Sequence, residues 1–118
     1  MDGIGYYSWA DGKRYLGEYK DNDKDGFGIH KFANGALHQG YWTKGKGNGL
    51  GSYQKNPGAT VRYGIWENGR QIKWLKEAIV KQIINGKIDV TMYFSRPENY
   101  QMNPRGWIEW PKNFSDRL

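Results

Sequence analysis

The sequence predicts a mainly β fold of stacked antiparallel β-hairpins, followed by one helix and an extended tail, and three observations carry that expectation. Glycines flanking a single apolar residue recur at a step of 23 residues: Gly3 and Gly5 around Ile4, Gly26 and Gly28 around Phe27, Gly49 and Gly51 around Leu50. A third glycine follows the first of each pair by nine residues, at Gly12, Gly35 and Gly58. Aromatic side chains alternate with period 2 on both sides of that third glycine. Repeats of this length belong to solenoids and stacked-hairpin arrays, in which each unit buries its apolar face on a neighbour.

Each unit reads as two strands around a turn. Asp11, Asn34 and Pro57 precede the third glycine, giving Asp-Gly, Asn-Gly and Pro-Gly turns in which glycine supplies a positive φ. In the first unit, residues 3–25, Tyr7 and Trp9 precede the turn, and Tyr15, Gly17 and Tyr19 follow it. The second, 26–48, carries His30 and Phe32, then His38, Gly40 and Trp42. The third, 49–70, carries Tyr53 and Lys55, then Arg62, Gly64 and Trp66, once one extra residue is admitted after Gly58. Period 2 argues for strands. Equivalent side chains on successive hairpins stand about 10 Å apart, which predicts two rows: Tyr19, Trp42 and Trp66 in one, Ile4, Phe27 and Leu50 in the other. The flanking glycines let neighbouring backbone approach closely.

After Gly69 the repeat spacing stops. Residues Ile72 to Ile84 place Leu75, Ala78, Ile79, Gln82 and Ile83 on one side, with Lys73, Lys76, Glu77 and Lys81 mostly opposite. That pattern predicts an amphipathic helix within 71–86 that ends at Asn85 and Gly86. An open stack exposes a terminal edge, so the helix is expected to cap or cover the last repeat, with Trp74 as its anchor. Residues 87–118 are expected to form one strand, through Ile88, Val90, Met92 and Phe94, and an extended tail. The tail has Pro97, Pro104 and Pro111 among Tyr100, Trp107, Ile108, Trp110 and Phe114. It is too rich in proline for a regular element and too aromatic for a featureless linker. Docking of Trp107 and Trp110 on a partner is the expectation, with folding back over the repeats as the alternative.

Composition agrees. The 118 residues include 17 Gly, 6 Trp and 9 Tyr, so aromatic packing must replace a conventional aliphatic core. One domain is the default at this length. With no Cys there is neither a disulfide framework nor a thiolate zinc site. The first repeat begins almost at Met1, leaving no room for a signal segment, and no run approaches the roughly 20 apolar residues of a membrane span. A soluble, intracellular protein is expected. The net charge of +6 suits an acidic partner surface.

The paired glycines, the turn glycine and the segment Tyr15, Leu16, Gly17, Glu18, Tyr19 together resemble the MORN (membrane occupation and recognition nexus) repeats, over roughly residues 3 to 70. His38 and Arg62 depart from the pattern, standing where an aromatic residue is usual. The resemblance implies an elongated, twisted antiparallel sheet used mostly as a scaffold in membrane-proximal, cytoskeletal and ciliary assemblies. Such arrays also accompany lipid kinase and SET methyltransferase domains, neither of which is visible in this sequence.

Several patterns suggest chemistry and are better absorbed by the repeats. Asp21, Asp23, Asp25 and Gly26 open like a calcium loop, but Phe32 stands where a bidentate Glu is needed; a charged, solvated loop between hairpins is expected. Gly45 to Gly51 lacks P-loop spacing and reads as a flexible connector. His30 and His38 face each other across the second hairpin, yet both occupy aromatic columns, so no metal is expected. Serines sit in no nucleophile elbow, Asn113, Phe114 and Ser115 match a glycosylation sequon by chance, and the aromatics have a structural reason that makes nucleic acid an unneeded partner. The expected function is therefore a non-enzymatic scaffold subunit of a larger protein assembly, without cofactor, cytoskeletal or ciliary by resemblance. Its partner-binding residues are expected to be Tyr19, Trp42, Trp66, Trp107 and Trp110, and one end of the sheet is expected to be completed by another chain or copy. The second reading is an adaptor for anionic membrane surfaces through the repeat face and Lys73, Lys76, Lys81 and Lys87. The third is an accessory module for an enzyme on another chain.

Overall fold

The computed structural model describes residues 3–95. Seven strands form one antiparallel meander in chain order: β1 (Gly3–Ser8), β2 (Arg14–Lys20), β3 (Asp23–Lys31), β4 (Leu37–Thr43), β5 (Lys46–Gln54), β6 (Arg62–Glu67) and β7 (Arg70–Leu75). The helix α1 (Glu77–Ile84) and a single 3₁₀ turn (Val90–Tyr93) follow.

Two kinds of turn alternate along the sheet, and each is written in the sequence. Around Gly12 the amide of Gly12 donates to Trp9 O (3.0 Å) and that of Trp9 to Lys13 O (2.9 Å), while Asp11 Oδ1 accepts from the Lys13 amide (3.1 Å). Gly12 takes φ +96°, the left-handed residue that closes a three-residue hairpin loop. Asn34 and Gly35 repeat the device, with Asn34 Oδ1 accepting from the Ala36 amide at 3.0 Å. At the other side of the sheet the hairpins are joined by two-residue turns with both φ positive: Asp21-Asn22 (52°, 67°), Lys44-Gly45 (50°, 82°) and Asn68-Gly69 (53°, 85°). These are type I′ turns, whose twist matches that of the flanking strands. The expected solvated Asp loop and flexible glycine connector therefore shrink to turn dipeptides. Asp23 and Asp25 belong to β3, and Lys46 onward belongs to β5.

Register makes the repeat visible as geometry. Gly5 pairs with Gly17, Gly17 with Gly28, Gly28 with Gly40, Gly40 with Gly51, and Gly51 with Gly64, so one glycine track crosses six strands. The pairs His30–His38 and Tyr53–Arg62 place the extra residue of the third unit in its turn, as expected.

The two faces of the sheet are finished differently. On one, Phe27, Tyr41, Leu50 and Ile65 form a core with Val80 and Ile83 of α1, Val90 and Phe94. Leu50 is 1% exposed while Ile4, its counterpart in the first unit, is 68% exposed, so this row is sealed only where α1 and the segment after it lie over it. The expected row of three apolar residues is thus a buried pair and an open end.

Three expectations after Gly69 need correction. Residues 70–75 are strand, not the start of the helix, because the Asn68-Gly69 turn returns the chain onto β6. Trp74 consequently lies in β7 and anchors no helix. The helix begins at Glu77, and it presents Val80 and Ile83 to the core, with Ile79 and Ile84 partly buried; Ala78 is exposed. It covers a face of the sheet and leaves the outer strand β7 largely exposed. It closes on Gly86 (φ +78°), whose amide donates to Ile83 O (3.1 Å) while Lys87 donates to Gln82 O (2.8 Å), a Schellman ending. The strand expected over Ile88 to Phe94 is replaced by the 3₁₀ turn. Asp89 Oδ1 accepts from the Thr91 amide (3.0 Å) and hydroxyl (2.7 Å), and this local capping defeats the alternation.

Candidate functional site

The opposite face is built from rings laid flat on the glycine track. Tyr15 lies over Gly28, where a Cβ would stand 2.5 Å from Tyr15 Cζ. His38 and Trp66 share Gly51, whose Cβ would meet His38 Nε2 and Trp66 Cζ3 each at 2.9 Å, and Trp74 lies over Gly64. A methyl group at these glycines has nowhere to go, which is the physical reason the column is glycine. The glycines at the pair starts, Gly3, Gly26 and Gly49, stand opposite Tyr19, Trp42 and Trp66 in register.

The expected row of Tyr19, Trp42 and Trp66 is present and all three are buried. The rings do not stack directly on one another, because the next column interleaves them. Tyr15 makes edge contacts with Tyr19 (5.0 Å between ring centres) and Trp42 (5.9 Å), and His38 sits between Trp42 (4.6 Å) and Trp66 (4.3 Å). Trp74 extends the series edge-on to Trp66 (5.9 Å), and the Arg62 guanidinium closes it 3.8 Å from the Trp74 ring centre. His38 and Arg62, the two departures from the aromatic column, therefore keep its packing role. Trp42 Nε1 donates to Gly28 O (3.1 Å) and Tyr15 Oη to Glu18 O (3.0 Å), tying the rings to the backbone beneath.

Where this ladder crosses β3 to β5 it opens into a cleft of 340 Å³ lined by Lys24, His30, His38, Lys46, Tyr53 and Trp66, among others. Trp42 also lines it, whereas Tyr19 lies outside it, between Tyr7 and Tyr15. His30 and His38 pair across the hairpin as expected, at 5% and 6% exposure. Burial drives both toward the neutral form, His30 to a pKa of about 4 and His38 to about 3, and the positive charge of Lys24 adds to both shifts. Two neutral imidazoles could ligate a cation, but among the described residues no third His, Cys, Asp or Glu joins them. Lys24 stands over His30 instead, its Nζ 3.4 Å from Nδ1.

Reading the sequence missed Lys24, Lys46 and Tyr53 as cleft residues. The available signal was the step of 23 that relates Lys24 to Gly47 and His30 to Tyr53. Of the other candidates, Lys73, Lys76, Lys81 and Lys87 are all exposed, with Lys73 in β7 and 5.7 Å from the Tyr93 ring centre. The apolar side of α1 is committed to the core, so it has no apolar face to lay on lipid. Among the described residues no helix is long and apolar enough to cross a membrane. Trp107 and Trp110 lie outside the described residues.

The family model for the MORN repeat matches residues 1–14, 15–37 and 38–60. Its units begin at Tyr15 and His38, one strand ahead of the glycine pairs, with the same step of 23. A search of curated proteins finds no match. MORN repeats generally serve protein–protein or membrane interactions and are not enzymatic in general. With residues 1–60 of 118 covered by its model, and the glycine track and ring ladder that the repeat encodes present in the fold, this chain belongs to the MORN repeat family.

Proposed function

We propose that this protein is a non-enzymatic interaction scaffold that receives a partner protein on the glycine-floored aromatic face. The observation that carries the reading is the asymmetry of the sheet. Its α1 side is closed by a packed core, while the ladder side holds the 340 Å³ cleft among the buried rings of Trp42 and Trp66 and the half-buried Phe32 and Tyr53. Concave apolar surfaces with a few polar groups are where ligands and partner side chains bind. The exposed Ile4, Tyr6, Tyr7 and Trp9 at the β1 end support the further expectation that another chain completes that edge. The assembly is an intracellular one in this reading, cytoskeletal or ciliary by family resemblance.

The test is selection of peptides from a random displayed library on the full chain. Enriched peptides are expected to lose at least tenfold in affinity on Tyr53→Glu, which places a charge at the half-buried rim of the cleft. Retained affinity, or enrichment only of peptides displaced by a β1 variant such as Tyr6→Lys, would move the interaction to the sheet edge. The membrane reading rests on the four exposed lysines alone, and salt-sensitive cosedimentation with phosphatidylserine vesicles that disappears on replacing them would favour it.

A further inference from the structure

One wall of the cleft carries a charge with no ion-pair partner among the described residues. Lys24 is partly buried, with its Nζ 4.8 Å from the Trp42 ring centre, 5.7 Å from that of Tyr15 and 3.4 Å from His30 Nδ1. Among the described residues no carboxylate lies within ion-pair distance of it. Desolvation lowers its pKa, Lys13 adds to that and Asp23 opposes it. An ammonium group in such a place is held by ring faces and one imidazole, and a carboxylate arriving from outside would meet it in a partly dry setting where a charge-assisted hydrogen bond is strong.

The repeat locates the space beside it. Lys24 pairs with Tyr19 across β2 and β3, and Gly47, 23 residues on, pairs with Trp42 across β4 and β5. The side chain that lies over Trp42 in the first unit thus has no counterpart over Trp66 in the second. The His38 ring takes that place, since a Cβ at Gly47 would stand only 2.7 Å from His38 Cε1, and the cleft opens beside it toward Lys24, Lys46 and Tyr53. At 340 Å³ the cleft is at the lower end of ligand-site volumes, which are about 300–1,000 Å³, and suits one side chain with its polar neighbour.

Resting on the interaction reading above, we propose that the cleft takes an acidic segment of a partner protein. An apolar or aromatic side chain of that segment packs into the cleft beside Tyr53 and Trp66, and an adjacent carboxylate pairs with Lys24. Lys46, on the lip, adds a second positive charge, and the net charge of +6 favours the approach of an acidic chain. A lipid headgroup fits less well, since anionic surfaces are gripped by clusters of several convergent basic residues and here the rest of the lining is aromatic, imidazole and glycine.

The test uses N-acetyltryptophan, which carries the apolar group and the carboxylate together, and its amide, which lacks the charge. Titrated into the ¹⁵N-labelled full chain, the acid is expected to shift the Gly47 amide and Trp66 indole signals with at least tenfold higher affinity than the amide. Lys24→Met, which keeps the stem packed on Trp42, is expected to abolish that preference. In the unsubstituted protein, raising NaCl from 50 to 500 mM is expected to erode the preference while leaving amide binding unchanged, so the proposal stands or falls even if the variant misfolds. Equal affinities, a preference that survives Lys24→Met, or no shift at these signals would overturn the proposal. So would a stronger shift of the same signals by 7:3 phosphatidylcholine–phosphatidylserine vesicles. If both small molecules fail while library-selected peptides still perturb the ladder face, the acidic anchor is wrong and the interaction reading stands; if neither binds there, both are wrong.

Discussion

At the scale of single residues, the ladder is held by pairs of opposites: a ring and the glycine it lies on. Gly28 accommodates Tyr15, Gly51 accommodates both His38 and Trp66, and Trp42 is fixed by its bond to Gly28 O. The two histidines carry a measurable consequence. Their folded pKa values, about 4 for His30 and about 3 for His38, lie below the ordinary 6.5 because the rings are buried. The unfolded chain therefore takes up protons that the folded chain refuses as pH falls below about 6.5, and stability drops in that window, levelling off near the folded values. Between pH 7.5 and pH 5 the loss is expected to be on the order of 2 kcal/mol for each histidine. Urea midpoints at the two pH values check it. His30→Tyr, the residue type of Tyr7 and Tyr53 in the same column, is expected to remove about half of the dependence on these two groups. Stability unchanged between pH 7.5 and pH 5 would mean that the imidazoles ionise readily in the folded protein.

At the scale of elements, α1 has a good ending and a poor beginning. Its C-terminus closes through Gly86, whereas its N-cap is Lys76, extended at ψ 147° and making no side-chain capping bond. Lys76→Ser is expected to raise stability by about 0.5–1 kcal/mol, read as a higher urea midpoint, since a hydroxyl there can accept from an orphan amide of the first turn. The helix end was legible from Asn85-Gly86, and its start was not. Ile72 and Trp74 alternate with Lys73 and Leu75 as a strand would, yet Leu75, Ile79 and Ile83 also follow a helical period, and the two patterns overlap. Asn68-Gly69, a strong hairpin dipeptide, settles the matter for the strand once the Lys44-Gly45 turn is seen to occupy the same place in the preceding unit. The sheet itself, its turn glycines and the ring columns were legible because a step of 23 residues exposes equivalent positions. The cleft was harder to see, because its lining is drawn from four strands, β3 to β6, and no one column of the repeat holds it.

At the scale of the molecule, the sheet is a stack with one face packed under α1 and the other paved with its own buried rings. The same column gives opposite outcomes along its length: Leu50→Ala is expected to cost about 2–5 kcal/mol, and Ile4→Ala, at an open end, less than about 0.5 kcal/mol. Denaturation of the two variants checks this, and a large cost at Ile4 in a concentration-dependent transition would reveal a second chain over β1. On the ladder face, whose rings are themselves buried, the two neutral histidines, Trp42, Trp66 and Lys24 line one cleft. The most direct measurement is the ¹H–¹⁵N footprint of a library-selected peptide on the full chain. Shifts concentrated on the Trp42 and Trp66 indoles and the Gly47 and Gly51 amides are expected; shifts confined to β1 or to the exposed side of α1, with those four signals unmoved, would contradict the assignment of the aromatic face as the binding surface.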